Sequence, residues 1–144
     1  MTDQPGANPY HPLAWFVGEP QIGAGTWIGP FCLIDGSGGL RIGEGCDIAA
    51  GVHIYTHSTA RRCVTARAVD TDRAPVVIGD RTFIGANTTV LMGVTIGTGC
   101  VIGAASVVTH DIPDGTWAIG SPAIVRGTVD PATGELRPDA PGGL

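Results

Sequence analysis

Four histidines are the side chains of this 144-residue sequence best suited to proton transfer near neutral pH. His57 closes the segment Ile54-Tyr55-Thr56-His57 and stands at the mouth of a stretch without any apolar pattern. A histidine fixed at such a boundary can serve as a general base. It can equally be a solvated loop imidazole, and the residues alone leave both readings open. His53 immediately precedes an apolar anchor and should point outward in a structural role. His11 lies before the patterned region and His110 beyond its last anchor, so position favours neither for catalysis. Cys32, Cys46, Cys63 and Cys100 form no C-x-x-C pair, which argues against a disulfide framework or a zinc site.

The elements that must position His57 follow from an internal repeat. Bulky apolar residues recur every six positions at Phe16, Ile22, Ile28, Ile34 and Leu40. A two-residue slip restarts the series at Ile42, Ile48 and Ile54, and after a gap it resumes at Ile78, Ile84, Val90, Ile96, Ile102 and Val108. Neither a helical period of 3.6 nor a strand period of 2 produces this spacing. Glycine follows Ile22, Ile28, Ile42, Ile78, Ile84, Ile96 and Ile102, whereas Ile34, Ile54, Val90 and Val108 are followed by Asp35, Tyr55, Leu91 and Thr109.

With one exception at Ala49, the rhythm is glycine, glycine, other, so units of six group in threes. The fold this predicts is all-β, a three-sided parallel β-helix of about five 18-residue coils with one protruding loop. The glycines are expected at corners that need a tight or positive-φ backbone. Cys32, Cys46 and Cys100 fall in a small-residue slot shared with Thr26, Val52, Thr82, Thr88, Val94 and Ser106, and are read as inert filler. Cys63 lies outside the repeat.

Residues 1–15 are expected to be irregular, 16–127 to form the β-helix, and 128–144 to be a Pro/Gly-rich tail, disordered or draped along the prism. Between Ile54 and Ile78 the chain throws out a loop, residues 58–75, carrying Arg61, Arg62, Arg67 and Arg73 with Asp70 and Asp72. Long excursions from compact folds often serve a site. The net charge of −5 speaks against nucleic acid and anionic membranes as partners. Basic residues are eight arginines and no lysine. No apolar run approaches the roughly 20 residues of a spanning helix, and Met1–Asn8 lacks the basic start of a signal peptide. A cytoplasmic location is the expectation.

The segments Ile78-Gly79-Asp80-Arg81-Thr82-Phe83-Ile84-Gly85-Ala86, Met92-Gly93-Val94-Thr95-Ile96-Gly97 and Val101-Ile102-Gly103-Ala104-Ala105-Ser106-Val107-Val108-Thr109 resemble the hexapeptide-repeat acyltransferases. So do Asp111-Ile112-Pro113 and Gly120-Ser121-Pro122-Ala123. The resemblance is to the maltose and galactoside type of sugar O-acetyltransferase and its polysaccharide relatives, over about residues 20–127. It implies a left-handed helix, a homotrimer, and acyl-CoA in the groove between subunits.

It also implies an enzyme: acetyl transfer from acetyl-CoA to a sugar hydroxyl by direct attack, with His57 as the catalytic base. Ala86 is implied beside the thioester, Ala104 and Thr109 along the pantetheine arm, and Pro122 and Arg126 near the nucleotide end. Asp35 is the nearest acidic candidate for binding the acceptor or orienting His57. Departures from the family pattern leave the acceptor open. Where the family carries an N-terminal helical segment about 15 irregular residues are expected, its acceptor-binding Asn falls near Cys32, the usual Trp before Ile84 is Phe83, and the frequent Lys after Thr109 is His110.

The alternatives are a sugar N-acetyltransferase, a γ-class carbonic anhydrase-like metalloenzyme and a non-catalytic β-helix scaffold. Three converging histidines would be needed for the metalloenzyme, and only His53 and His57 are close in sequence. No metal is expected. An ice-binding face would need a Thr-x-Thr ladder, which Thr88, Thr89, Thr95 and Thr109 do not make.

Overall fold

A computed structural model describes residues 10–139. Its stack of parallel coils has three faces, as the six-residue period requires. One face pairs Trp15–Val17, Leu33–Asp35, His53–Ile54, Thr89–Val90 and Val107–Val108 in that order. A second orders Gln21–Ile22, Leu40–Ile42, Val76–Ile78 and Thr95–Ile96, with Ile112 bridging to Ile96. The third begins Trp27–Ile28, Asp47–Ile48, Phe83–Ile84 and Val101–Ile102, and continues to Thr116–Gly120. Each anchor stacks on an anchor: Ile34 pairs with Ile54, Ile54 with Val90, and Val90 with Val108.

These columns are the core. Ile28, Ile34, Ile48, Ile54, Ile84, Ile96 and Ile102 are wholly buried. Because every anchor meets its counterpart one coil away, burial and strand pairing are satisfied by the same repeat.

The glycines act differently from the expectation. Those that follow an anchor, such as Gly23, Gly79 and Gly85, do not adopt positive φ. A Cβ on Gly85 would lie 2.5 Å from the backbone nitrogen of Ala104, and one on Gly79 2.6 Å from that of Thr98. They are needed for close approach between coils. Positive φ falls two residues later, at Gly25, Phe31, Gly45, Gly51, Arg81, Asn87, Gly93, Gly99 and Ala105. Four of those nine are not glycine, which hid this position in the sequence.

The buried cysteines also do more than fill space. The thiols of Cys46 and Cys100 lie 3.1 Å from the carbonyls of Gly79 and Pro113, and that of Cys32 lies 3.0 Å from Ala49 O. Thr26 and Thr82 play the same part toward Gly43 and Gly97 at 2.7 Å. Corner carbonyls inside the prism therefore find donors. Burial pushes the Cys32 and Cys46 thiols up, which keeps them protonated as donors.

The excursion after Ile54 leaves the stack intact, since Ile42 pairs directly with Ile78. His57–Ser58 and Asp72–Arg73 close its base as an antiparallel ribbon, and Ala60–Val64 forms a short helix. At the other end the parallel stack stops at Thr116–Gly120. Ala123–Val129 and Leu136–Pro138 then add two antiparallel strands to the third face. Part of the segment expected as a tail is thus ordered strand, while residues 1–9 and 140–144 lie outside the described region. Among the described residues no helix is long and apolar enough to cross a membrane.

Candidate active site

The repeat puts its two-residue slip between Leu40 and Ile42, but Ile42 is the stacked anchor, so the extra length lies between Asp35 and Leu40, where it builds the site. The extra length lets the chain bulge as Gly36-Ser37-Gly38-Gly39, and Thr56 from the next coil packs into the bulge. Gly38 N–H donates to Thr56 Oγ1 at 2.8 Å. Thr56 donates its N–H to Asp35 Oδ2 at 2.9 Å, and Ser37 N–H donates to Asp35 Oδ1 at 2.9 Å. Asp35 is completely buried.

Burial opposes ionisation of this carboxyl, but hydrogen bonds from Ser37, from the Thr56 N–H and from His57 outweigh it. They hold Asp35 well below the usual carboxylate range. An ionised Asp35 can only accept, so the 2.5 Å contact with His57 must be the Nδ1–H donating to Oδ2. That fixes the tautomer and leaves the Nε2 lone pair free. The His57 side chain is 34% exposed while Asp35 is 0%. Asp35 therefore stands behind the imidazole. Its carboxylate has no open face toward the cleft.

His57 opens onto a cleft of about 430 Å³ lined by Tyr55, Ser58, Leu91, Met92 and Thr109. Tyr55, Leu91 and Thr109 all directly follow an anchor of the first face, at the corner where the rhythm breaks from glycine. Their side chains can fill this cleft because that corner does not demand a missing Cβ. Tyr55 is wedged between two histidines, its ring 5.9 Å from that of His53 and 6.3 Å from that of His57. Its hydroxyl lies 3.2 Å from His53 Nδ1. Among the described residues no group of three or more His, Cys, Asp or Glu side chains converges as a metal ion would need. Sequence reasoning reached His57 and Thr109 and missed Tyr55, Ser58, Leu91 and Met92. Only the pattern of anchors not followed by glycine pointed to this corner.

Ala86 and Ala104 lie elsewhere, stacked on the corner between the third and first faces. The Ala105 N–H bonds to the Ala86 carbonyl at 2.8 Å. At the corner between the second and third faces the equivalent backbone N–H groups are capped: Glu44 by Asp80, Asp80 by Thr98, and Thr98 by Asp114. Among the described residues the N–H groups of Ala50, Ala86 and Ala104 have no acceptor. This corner thus presents small side chains and unpaired donors, which is what a close-lying polar chain with carbonyl groups needs.

The next residue up this edge is Ile119, against which a Cβ on Gly103 would lie at 2.6 Å. Ile119, with Trp117, Pro138 and Arg126, lines a second, smaller cleft. Pro122 is exposed in the turn before Ala123. The residues expected to form one site are therefore split. His57 and Thr109 lie along one edge of the first face, and Ala86 and Ala104, leading to Arg126, along the other.

A hexapeptide-repeat acetyltransferase of Vibrio cholerae has the same fold at 29% identity, with a TM-score of 0.72 over 83% of this chain and 69% of that one. In complex with acetyl coenzyme A it aligns at 31% identity and a TM-score of 0.70, over 85% and 66% of the two chains. A maltose O-acetyltransferase from Clostridium difficile aligns at 28% identity and a TM-score of 0.69, over 81% and 67%. In sequence, 56 residues are 52% identical to a Staphylococcus aureus protein provisionally named an acetyltransferase, covering 39% of this chain. The match spans only 28% of the length of that curated relative. The model described as the hexapeptide repeat of succinyl-transferase matches residues 21–56 and 75–110, the two blocks on either side of the protruding loop. Those blocks make up half of the sequence and coincide with the stacked coils, so the chain belongs to the hexapeptide-repeat family.

Proposed function

We propose that this protein transfers an acetyl group from acetyl-CoA to a sugar hydroxyl, with His57 as general base. The observation that carries the reading is the buried, ionised Asp35 holding His57 Nδ1–H, so that Nε2 faces the cleft as an acceptor. In the reaction Nε2 takes the proton from the acceptor hydroxyl as its oxygen attacks the thioester carbonyl. The carbonyl oxygen becomes negative in the tetrahedral intermediate, and the unpaired Ala86 N–H is the donor we assign to it. Collapse breaks the C–S bond, and the proton held by His57 passes to the departing sulfur. The products are CoA thiol and an O-acetylated sugar. No acyl-enzyme is needed.

Ala104 and the cleft of Arg126 extend the Ala86 edge in one line, which supports binding of a long, polar co-substrate there. The Arg126 guanidinium suits a phosphate at its far end. The relatives solved with acetyl-CoA or named for maltose support the donor and the class of acceptor. The split between the two edges of the first face supports a trimer, in which His57 of one subunit would meet the Ala86–Ala104 edge of its neighbour.

Acetyl-CoA binding by calorimetry and thiol release with a panel of sugars test the reading on the native protein and His57→Ala. Both forms should bind acetyl-CoA with equal affinity, and only the native form should release thiol in an acceptor-dependent way. Absence of acetyl-CoA binding by either form would end the acyltransferase reading.

A further inference from the structure

Half of the chain's arginines lie in the protruding loop: Arg61, Arg62, Arg67 and Arg73, against Asp70 and Asp72. The loop is thus a cationic island in a chain whose net charge is −5. Arg61 is spent within it, bonded to Asp72 at 2.8 Å. Arg73 has no side-chain partner among the described residues and is exposed.

Its place is specific. At the base of the loop Arg73 is the direct cross-strand partner of His57. The bond from Ala74 N–H to the Thr56 carbonyl, 3.1 Å, flanks this pair. That makes it a non-hydrogen-bonded pair, the kind in which opposing Cα atoms come within about 4.5 Å and the side chains leave on one side of the ribbon. The unpaired Arg73 side chain therefore leaves the ribbon on the same side as the imidazole that faces the cleft, next to the lining rather than within it. The cleft wall itself, Tyr55, Ser58, Leu91, Met92 and Thr109, carries no carboxylate to neutralise it.

We infer that Arg73 selects an anionic acceptor, a sugar bearing a phosphate or carboxylate, and holds that group while His57 takes the hydroxyl proton. The inference rests on the acyltransferase reading for the identity of the acceptor, but the anion site can be measured without turnover. Native protein, Arg73→Ala and Arg73→Lys would be saturated with CoA, so that sites for the nucleotide phosphates are filled. Glucose, glucose 6-phosphate, glucuronate and inorganic phosphate would then be titrated by calorimetry, with acetyl-CoA affinity measured in parallel.

The native protein should bind the anionic probes at least about tenfold more tightly than glucose, as expected for one charge-assisted contact. Arg73→Ala should remove that preference, Arg73→Lys should keep part of it, and acetyl-CoA affinity should not change. Equal binding of the anions by native protein and Arg73→Ala, or no preference for them over glucose, would overturn the inference while leaving the acyltransferase reading in place. Arg73-dependent anion binding without any acetyl-CoA binding would sustain the anion site and sink the acyltransferase reading instead.

Discussion

At the scale of single residues, the site is a hydrogen-bonded pair, His57 and Asp35, whose negative half is sealed. Replacing Asp35 by Asn keeps the shape but removes the acceptor that fixes the His57 tautomer. Turnover of Asp35→Asn should fall by about 100-fold or more, with acetyl-CoA affinity unchanged, in the same thiol-release assay. The depressed Asp35 also links stability to pH. Its folded value lies below the unfolded one, so its contribution is complete above about pH 4 and is lost as pH falls toward the folded value. The gap in urea midpoint between native protein and Asp35→Asn should therefore shrink between pH 6 and pH 3. A gap that stayed constant would mean that folding leaves the proton affinity of the Asp35 carboxyl unchanged, which would overturn the depressed value.

The sequence made His57 visible because it ends a patterned run. It offers Asp35 for orienting His57 or binding the acceptor but leaves the choice open, because the two lie 22 residues apart and meet only through the bulge at Gly36–Gly39. Arg73 shows the same limit: its pairing with His57 depends on how an unpatterned loop closes.

At the scale of the repeat, six-residue spacing is legible because one residue type, mainly isoleucine, fills the anchor positions. The corner chemistry was legible only in part. Glycine after an anchor marks contact between coils, and its strand-like backbone leaves no signature separating it from a turn glycine. Two substitutions distinguish the roles. Gly25→Ala meets nothing within 4 Å but sits at φ +73°, and should cost about 1 kcal/mol. Gly85→Ala would press a methyl onto the backbone nitrogen of Ala104 at 2.5 Å and should destabilise several-fold more in the same urea titration. Similar losses for both would show that the two glycines share one role. Thr82→Val leaves the Gly97 carbonyl and the Cys100 N–H without their partner, a loss of about 2 kcal/mol that should appear as a lower midpoint.

At the scale of the whole molecule, the two edges of the first face carry complementary halves of the proposed site. A chain with His57→Ala lacks the base, and one with Ala104→Trp should block the opposite edge. Each should be inactive alone. If neighbouring subunits contribute the two halves, trimers reassembled from both variants will contain some sites with both halves intact, and activity should return on mixing. No recovery, in a sample shown by ultracentrifugation to contain mixed trimers, would place the complete site within one subunit.

The end of the stack has a consequence of its own. A column of parallel strands is open-ended, and its last rung offers unpaired amides to any further strand, including one from another copy. On the third face the chain reverses direction twice after the last parallel strand, through Ala123–Val129 and Leu136–Pro138. The outermost strand contains Pro138, which has no N–H to donate. A newcomer meets an edge interrupted where Pro138 lacks a donor. The closing hairpin therefore works as a chain terminator against fibre growth.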